Sequence, residues 1–359
     1  MSPSPRLPQR PQRPQRLLVV ELLGGFGDLL IALPAIHALA AAQPQAQLRV
    51  ATVPAAAELL VADPAVDSVV GGDLSRPHDW LDGELQRHPP DLVVSTTMHS
   101  GLDQLIEQRV PGSITNLWRN PPPNELIDRR FLRLLADDGL IQDAHRSTPL
   151  QVALTSAERD EGRRLLASLL GPGARRPLLV LPGSGMAVKR WPAERWQQLV
   201  EQHAGRALVP VAEHRVVPAA TPLPAGLDLR GLAALAGAVG EAGGRAVGGD
   251  TGPVRLAAAA RCPAVGLYGP TLAARYGLSA PWTQNLQGLP GCEVRRPTAI
   301  TEQECWWSAR CPLDTGPLDT GPLGTGPLGT KPAGSRAQCM ADVSVADVLA
   351  ALERVGEAT

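Results

Sequence analysis

Three times along the chain a short apolar run ends in a glycine-bearing loop, and the polypeptide then re-enters as a helical stretch. The loops are Gly24-Gly25-Phe26-Gly27-Asp28, Leu181-Pro182-Gly183-Ser184-Gly185 and Gly248-Gly249-Asp250-Thr251-Gly252-Pro253. Short apolar runs alternating with helical segments indicate parallel strands buried on both faces, with helices as the crossovers. The predicted strands of the first series are Leu17–Leu23, Leu48–Val53, Ser68–Val70 and Asp91–Ser95. Between them lie helical stretches at Leu29–Ala42, Pro54–Val61 and Leu102–Gln108. Pro34 falls inside the first of these and should kink or restart it.

A second series follows a helix that Thr155 and Glu158 would open as a capping box, with Leu165, Leu166, Leu169 and Leu170 as its apolar stripe. Gly171–Pro177 reads as a linker. Strands are expected at Leu178–Leu181, Ala207–Val211, Arg245–Gly248 and Ala264–Tyr268, and a helix at Pro192–His203 with Pro192 in its first position. The resulting division is a disordered Pro-Gln-Arg tail over 1–16, an α/β domain over 17–170, a second over 171–342, and a closing helix over 343–359. Ser344 would cap that helix, with Val345, Val348, Leu349 and Leu352 on its apolar face. Within the second domain, 312–331 repeats PLDTG, PLDTG, PLGTG, PLGTK, a tract too poor in large apolar residues to bury a core. Two successive halves of this kind predict a bilobal protein with a cleft at the carboxyl ends of two sheets.

Length and composition agree: 359 residues suit two domains, and 44% hydrophobic residues can fill two cores. A formal net charge of -1 gives no global field that would favour nucleic acid. No run approaches the roughly 18–20 uncharged apolar residues that span a bilayer. The polar, Pro-rich start has no signal-peptide pattern, so a cytoplasmic protein is expected, with contact at the inner membrane face as its closest approach to lipid. The five cysteines, 262, 292, 305, 311 and 339, show no paired CxxC spacing and are expected to be reduced thiols.

Each loop carries residues with two readings. Asp28 sits where an N-cap belongs, or its carboxylate serves as a general base, with Gly25 and Gly27 allowing close backbone approach. Lys189, after Ser184 and Gly185, is either a solvated cation or a compact charge for a phosphate. Asp250, Thr251 and Gly252 open an apolar helix whose N-terminus favours anions, although the carboxylate itself would repel phosphate and is expected to brace the loop or contact a sugar.

Taken together, GGFGDLLIALPAIHAL, LPGSGMAVKRWPAERW, GGDTGPVRLAAAARCPAVGLYGPT and QCMADVSVADVLAAL resemble glycosyltransferase family 9, the ADP-heptose:lipopolysaccharide heptosyltransferases, in the family's order. The resemblance implies a GT-B architecture, with an acceptor lobe followed by a nucleotide-sugar lobe. It implies inverting transfer with Asp28 as base and a donor site of Ser184, Gly185, Lys189, Asp250, Thr251 and Gly252. Glu213, in Ala212-Glu213-His214, falls where members place a glutamate on the ribose. Arg255, also placed at the donor site, stands where members usually carry histidine, and a fixed positive donor there is expected to clamp phosphate more permanently than an imidazole. No Asp-x-Asp motif is present, and transfer without a metal or other cofactor is expected. The implied partners are a nucleotide-sugar donor, ADP-linked by family habit, and a glycolipid or lipopolysaccharide-core acceptor. Two other readings fit the same fold, a non-catalytic nucleotide-sugar-binding protein and a nucleotide-sugar epimerase.

Overall fold

The computed structural model describes residues 14–117, 122–308, 310–314 and 337–355. Most of the expected tail and nearly all of the five-residue repeats lie outside the described residues. The chain divides into two compact units, Met1–Pro121 with Ile127–Ala153, and Pro122–Leu126 with Leu154–Thr359.

Unit 1 holds β1 (Arg16–Glu21), α1 (Phe26–Ala42), β2 (Gln47–Thr52), α2 (Pro54–Ala57), β3 (Ser68–Gly71), α3 (Pro77–Arg87), β4 (Leu92–Ser95), α4 (Leu102–Arg109), β5 (Ile114–Thr115) and α5 (Ile127–Asp137). Its five strands are parallel in the order β3-β2-β1-β4-β5. The order reverses between β1 and β4, which places a crevice at the carboxyl end of β1. β1 begins at Arg16, so the last residue assigned to the tail belongs to the sheet. The four residues of β4 are all buried, the pattern of a strand covered on both faces.

Of the two outcomes expected at Pro34, the restart does not occur: α1 is one helix from Phe26 to Ala42. A mid-helix proline costs about 3 kcal/mol. Nine residues of this helix are buried, Leu29, Leu30, Leu33, Ile36 and Leu39 among them. Each such leucine or isoleucine contributes about 1.5–3 kcal/mol on burial. Packing therefore outweighs the proline.

Unit 2 holds α6 (Ser156–Leu170), β6 (Leu178–Leu181), α7 (Ala193–Glu201), β7 (Ala207–Val209), β8 (Thr221–Pro222), α8 (Leu229–Glu241), β9 (Arg245–Gly249), α9 (Gly252–Ala259), β10 (Ala264–Tyr268), α10 (Ala273–Tyr276), β11 (Thr283–Gln287), α11 (Glu304–Ser308), α12 (Gln338–Asp342) and α13 (Val345–Arg354). Its six parallel strands run β11-β10-β9-β6-β7-β8. The switch point lies between β6 and β9. Trp191 and Trp196 meet edge to face at 4.7 Å in the core beneath this sheet, together with Val348 and Leu352 of the closing helix. Pro192 proves to be the N-cap of α7, one position before its expected place.

Helix α6 carries the expected capping box: the Glu158 amide donates to Thr155 Oγ1 at 3.2 Å, and the Thr155 amide to Glu158 Oε2 at 2.7 Å. It packs against α8 within unit 2, whereas the sequence placed it at the end of the first domain. The contact is close because Gly162 has no side chain; a Cβ there would stand 2.3 Å from the Ala234 carbonyl oxygen. Arg230 of α8 binds the Glu158 carboxylate, and Arg163 reaches Glu241 at 3.0 Å. The Gly171–Pro177 stretch is thus a connection inside unit 2.

Candidate functional site

In unit 1 the chain leaves β1 at the switch point and turns through Leu22–Gly25 into α1. Gly24 has φ +128°, a left-handed conformation that strains any side-chain-bearing residue, so the turn depends on glycine there. Gly25, not Asp28, is the N-cap of α1. Asp28 is the third helical residue, its amide donating to the Gly25 carbonyl at 3.0 Å. Its half-buried carboxylate folds back, with Oδ2 3.5 Å from where a Cβ on Gly25 would stand. The capping explanation for an aspartate here is removed, and the carboxylate remains at the crevice end of the sheet, within the positive first turn of a helix.

The floor of this turn is polar and sealed. Glu21, Thr52, Ser95, Thr96 and Thr97 are all buried at the ends of β1, β2 and β4. The Leu22 amide donates to Thr97 Oγ1 at 2.8 Å and the Thr97 amide to Ser95 Oγ at 3.1 Å. The Leu23 amide donates to Glu21 Oε1 at 3.0 Å, and Thr52 Oγ1 to Glu21 Oε2 at 3.4 Å. Burial, and then the negative charge of Asp28, push the Glu21 carboxyl up to about 8. Sequence reading passed over Glu21 because a single acid inside an apolar run carries no periodic signal.

In unit 2 the loops after β6 and β9 meet because those strands are neighbours at the switch point. Lys189 Nζ lies 2.8 Å from Asp250 Oδ2 and 3.4 Å from the Asp250 carbonyl oxygen, with both side chains largely buried. Thr271 Oγ1 donates to the same carboxylate oxygen at 2.8 Å. The ammonium also lies 5.0 Å from the Trp306 ring centroid, a cation–π distance. Burial disfavours the Asp250 charge, but Lys189, then Arg255 and Thr271, outweigh it and hold the carboxyl below the usual range. Asp250 braces the loop, one of its two expected tasks.

The guanidinium of Arg255, expected to clamp phosphate, is engaged by backbone carbonyls. It is 5% exposed, and its Nη2 donates to the Tyr276 carbonyl at 2.6 Å and Nη1 to the Gly277 carbonyl at 3.3 Å. Position four of α9 points the side chain under the helix toward α10, so the guanidinium secures the carbonyl end of that short helix. Thr251 is the N-cap of α9 and Gly252 its first residue. Ser184 accepts from the Met186 amide at 3.2 Å and donates to the Met186 carbonyl at 3.0 Å, which ties up its hydroxyl in the turn. Gly185 is exposed with open space above it. Glu213 lies against the same loop, Oε1 3.0 Å from the site of a Cβ on Gly183.

Residues beyond the three loops set the position of Thr271. Arg295 Nη2 donates to the Gly269 carbonyl at 2.7 Å, Gln303 Nε2 to the Pro270 carbonyl at 3.2 Å, and Gln287 Nε2 to the Gly269 carbonyl at 3.1 Å. These three were not legible in the sequence, since each acts on backbone from a distant segment. Cys292, Cys305, Cys311 and Cys339 line one cavity of about 10 Å³, room for about one water. None of the five cysteines is in a disulfide. Burial and the neighbouring thiols push Cys339 up to about 12. Among the described residues no group of three or more His, Cys, Asp or Glu side chains is arranged to hold a metal ion, and no helix is long and apolar enough to cross a membrane.

A comparison with curated protein sequences finds no match. Among solved structures, a glycosyltransferase family 9 protein from Veillonella parvula DSM 2008 superposes with a TM-score of 0.71 at 17% identity, over 96% of this chain and 98% of that one. E. coli heptosyltransferase WaaC with ADP gives 0.63 at 16% identity, over 95% and 99%. The iron-containing dodecameric glycosyltransferase TibC of enterotoxigenic E. coli H10407 gives 0.58 at 15%, over 97% and 78%. At such identities the likeness establishes the fold, two Rossmann-like units of the GT-B class. The sequence profile of glycosyltransferase family 9 (heptosyltransferase) matches residues 107–302, more than half of the chain. The chain therefore belongs to glycosyltransferase family 9.

Proposed function

We propose that this chain is an inverting, metal-independent transferase that moves a sugar, heptose by family default, from an ADP-linked donor to a cell-envelope glycolipid such as a lipopolysaccharide core. The observation that supports this reading most is the constellation at the unit 2 switch point: Lys189, Asp250 and Thr271 joined at 2.8 Å contacts beside the start of α9. Lysine has three N–H donors, and two are directed at Asp250, so the third suits an oxygen of the donor diphosphate. The α9 N-terminus offers the Gly252 and Val254 amides, since Pro253 has none, and adds the positive end of its dipole. Arg255 contributes charge from below, its donors being engaged by carbonyls. Glu213 is assigned to the donor ribose, and WaaC with ADP supports an adenosine diphosphate donor.

For transfer, Asp28 accepts the proton of the acceptor hydroxyl as that oxygen bonds to the anomeric carbon. The bond from that carbon to the diphosphate oxygen breaks, and the nucleoside diphosphate leaves with the charge that Lys189 and the α9 amides stabilise. The acceptor is taken to be reached from the cytoplasmic face of the membrane.

The test is a panel of nucleotide sugars screened for thermal stabilisation, followed by nucleotide-release assays with and without acceptor, in excess EDTA. Stabilisation by an ADP-sugar and acceptor-dependent release support the reading. Release abolished by EDTA and restored by a metal removes metal independence, and the structurally similar TibC contains iron. Binding without release under any condition replaces the enzyme with a binding protein.

A further inference from the structure

We propose that Glu21 is a positioning residue for Asp28, acting as a neutral buried carboxyl that pins the β1–α1 turn. The inference rests on the assignment of Asp28 as the base. Glu21 is the last residue of β1, its side chain 0% exposed, and Asp28 follows one turn into α1. Its Oε1 accepts the Leu23 amide at 3.0 Å, two residues along the connection that carries Gly24 and Gly25. Its Oε2 accepts Thr52 Oγ1 from the end of β2. The turn is therefore tied to the sheet by the Glu21 carboxyl on one side and by Thr97 through the Leu22 amide on the other.

Among the described residues, none of the groups that shift Glu21 carries a positive charge. The neighbours from β2 and the end of β4 are the hydroxyls of Thr52, Ser95, Thr96 and Thr97, and the ionisable group acting on Glu21 is Asp28 of α1. Two carboxylates within electrostatic reach in a sealed site cannot share it comfortably in ionised form, and one keeps its proton. The fully buried member is Glu21, whose carboxyl is raised to about 8 by burial and then by the negative charge of Asp28. A neutral Glu21 adds no second negative charge beside Asp28 at the end of β1 in the pH range where transfer occurs. Above about pH 8 Glu21 must ionise in a dry site, and the turn it anchors has to open to hydrate it.

The experiment compares wild type, Glu21→Gln and Glu21→Leu, with folding checked by circular dichroism. Wild-type kcat is expected to fall about tenfold per pH unit above pH 8, as for loss of one essential proton. Glu21→Gln keeps an acceptor for the Leu23 amide and lacks the ionisation, so it retains more turnover at pH 7 than Glu21→Leu and shows no such alkaline fall. Glu21→Leu lowers kcat by about tenfold or more with donor KM little changed, as expected of a misplaced base. A Glu21→Gln profile that keeps the wild-type alkaline limb overturns the proposal.

A second readout does not use activity. The Glu21 carboxyl resonance in ¹³C-labelled protein, identified by its loss in Glu21→Gln, should titrate at lower pH in Asp28→Asn than in wild type. An unmoved titration overturns the proposal whatever the transfer assay shows. A moved titration, with transfer indifferent to Asp28→Asn, removes the base assignment and leaves the coupling of the two carboxyls standing.

Discussion

Lys189 and Asp250, 61 residues apart, form a 2.8 Å ion pair that joins the loop after β6 to the loop after β9. Their side chains are 16% and 12% exposed, so each charge depends on the other for what water would otherwise supply. The parallel order of unit 2 makes the meeting unavoidable, since β6 and β9 are adjacent and both chains emerge at the same end.

Breaking this pair from one side should be worse than removing it. Lys189→Met leaves the Asp250 carboxylate with Thr271 and the Arg255 charge alone, and is expected to cost about 2–4 kcal/mol in urea unfolding. The double variant with Asp250→Asn should recover part of that loss while failing to recover donor-induced thermal stabilisation. A double variant less stable than Lys189→Met would show that the pair is not coupled in this way.

Asp28→Asn keeps the size of the side chain and removes its basicity. Transfer is expected to fall on the order of 10²-fold or more, while thermal stabilisation by the donor stays at its wild-type value. Product formation by mass spectrometry and melting curves in the presence of donor check both halves. Near-normal transfer would dismiss Asp28 as the base.

Acid should loosen unit 2 through Glu158. The hydrogen bonds from Arg230, against the opposing effect of burial, lower its carboxyl to about 2 from an ordinary 4.5. A folded-state value below the unfolded one gives stability that is present above pH 4.5 and lost as pH falls toward 2. The full effect is on the order of 2–3 kcal/mol for a side chain 26% exposed. Glu158→Gln should be less stable than wild type at pH 6 by that order and equal to it near pH 2, as read by denaturant titration at each pH.

Gly162→Ala should destabilise the α6–α8 contact by about 1–3 kcal/mol, because the new methyl meets backbone, at 2.3 Å from the Ala234 oxygen and 2.5 Å from its carbon. Gly291→Ala, whose Cβ would meet nothing within 4 Å, should stay within about 0.5 kcal/mol of wild type. Equal melting temperatures for the two variants would contradict the packing described for Gly162.

The strand–loop–helix units were legible because buried parallel strands must be apolar throughout and must end in small or polar residues where a helix begins. That logic placed Asp28, Lys189 and Asp250 just beyond the ends of β1, β6 and β9, where the structure has them. It could not find Thr271 joining Asp250, or Arg295 and Gln303 holding Thr271 in place, since these contacts depend on strand order rather than on local pattern. The carbonyl partners of Arg255 were hidden for a similar reason: residue type gives the charge, and only the helix phase gives the direction. The domain end was displaced because Gly171–Pro177 has linker composition, whereas the missing side chain at Gly162 commits α6 to α8.

The short segment Pro122–Leu126 belongs to unit 2, while the chain on both sides of it belongs to unit 1. The polypeptide consequently passes between the units three times, and no single cut releases either lobe intact. Expressing unit 2 from Leu154 onward would remove Pro122, whose carbonyl accepts from the buried Arg275 guanidinium at 2.9 Å. Dissection of this enzyme into independently expressed halves would therefore have to supply that five-residue stretch in trans or splice it back, as two-lobed enzymes joined by one linker do not require.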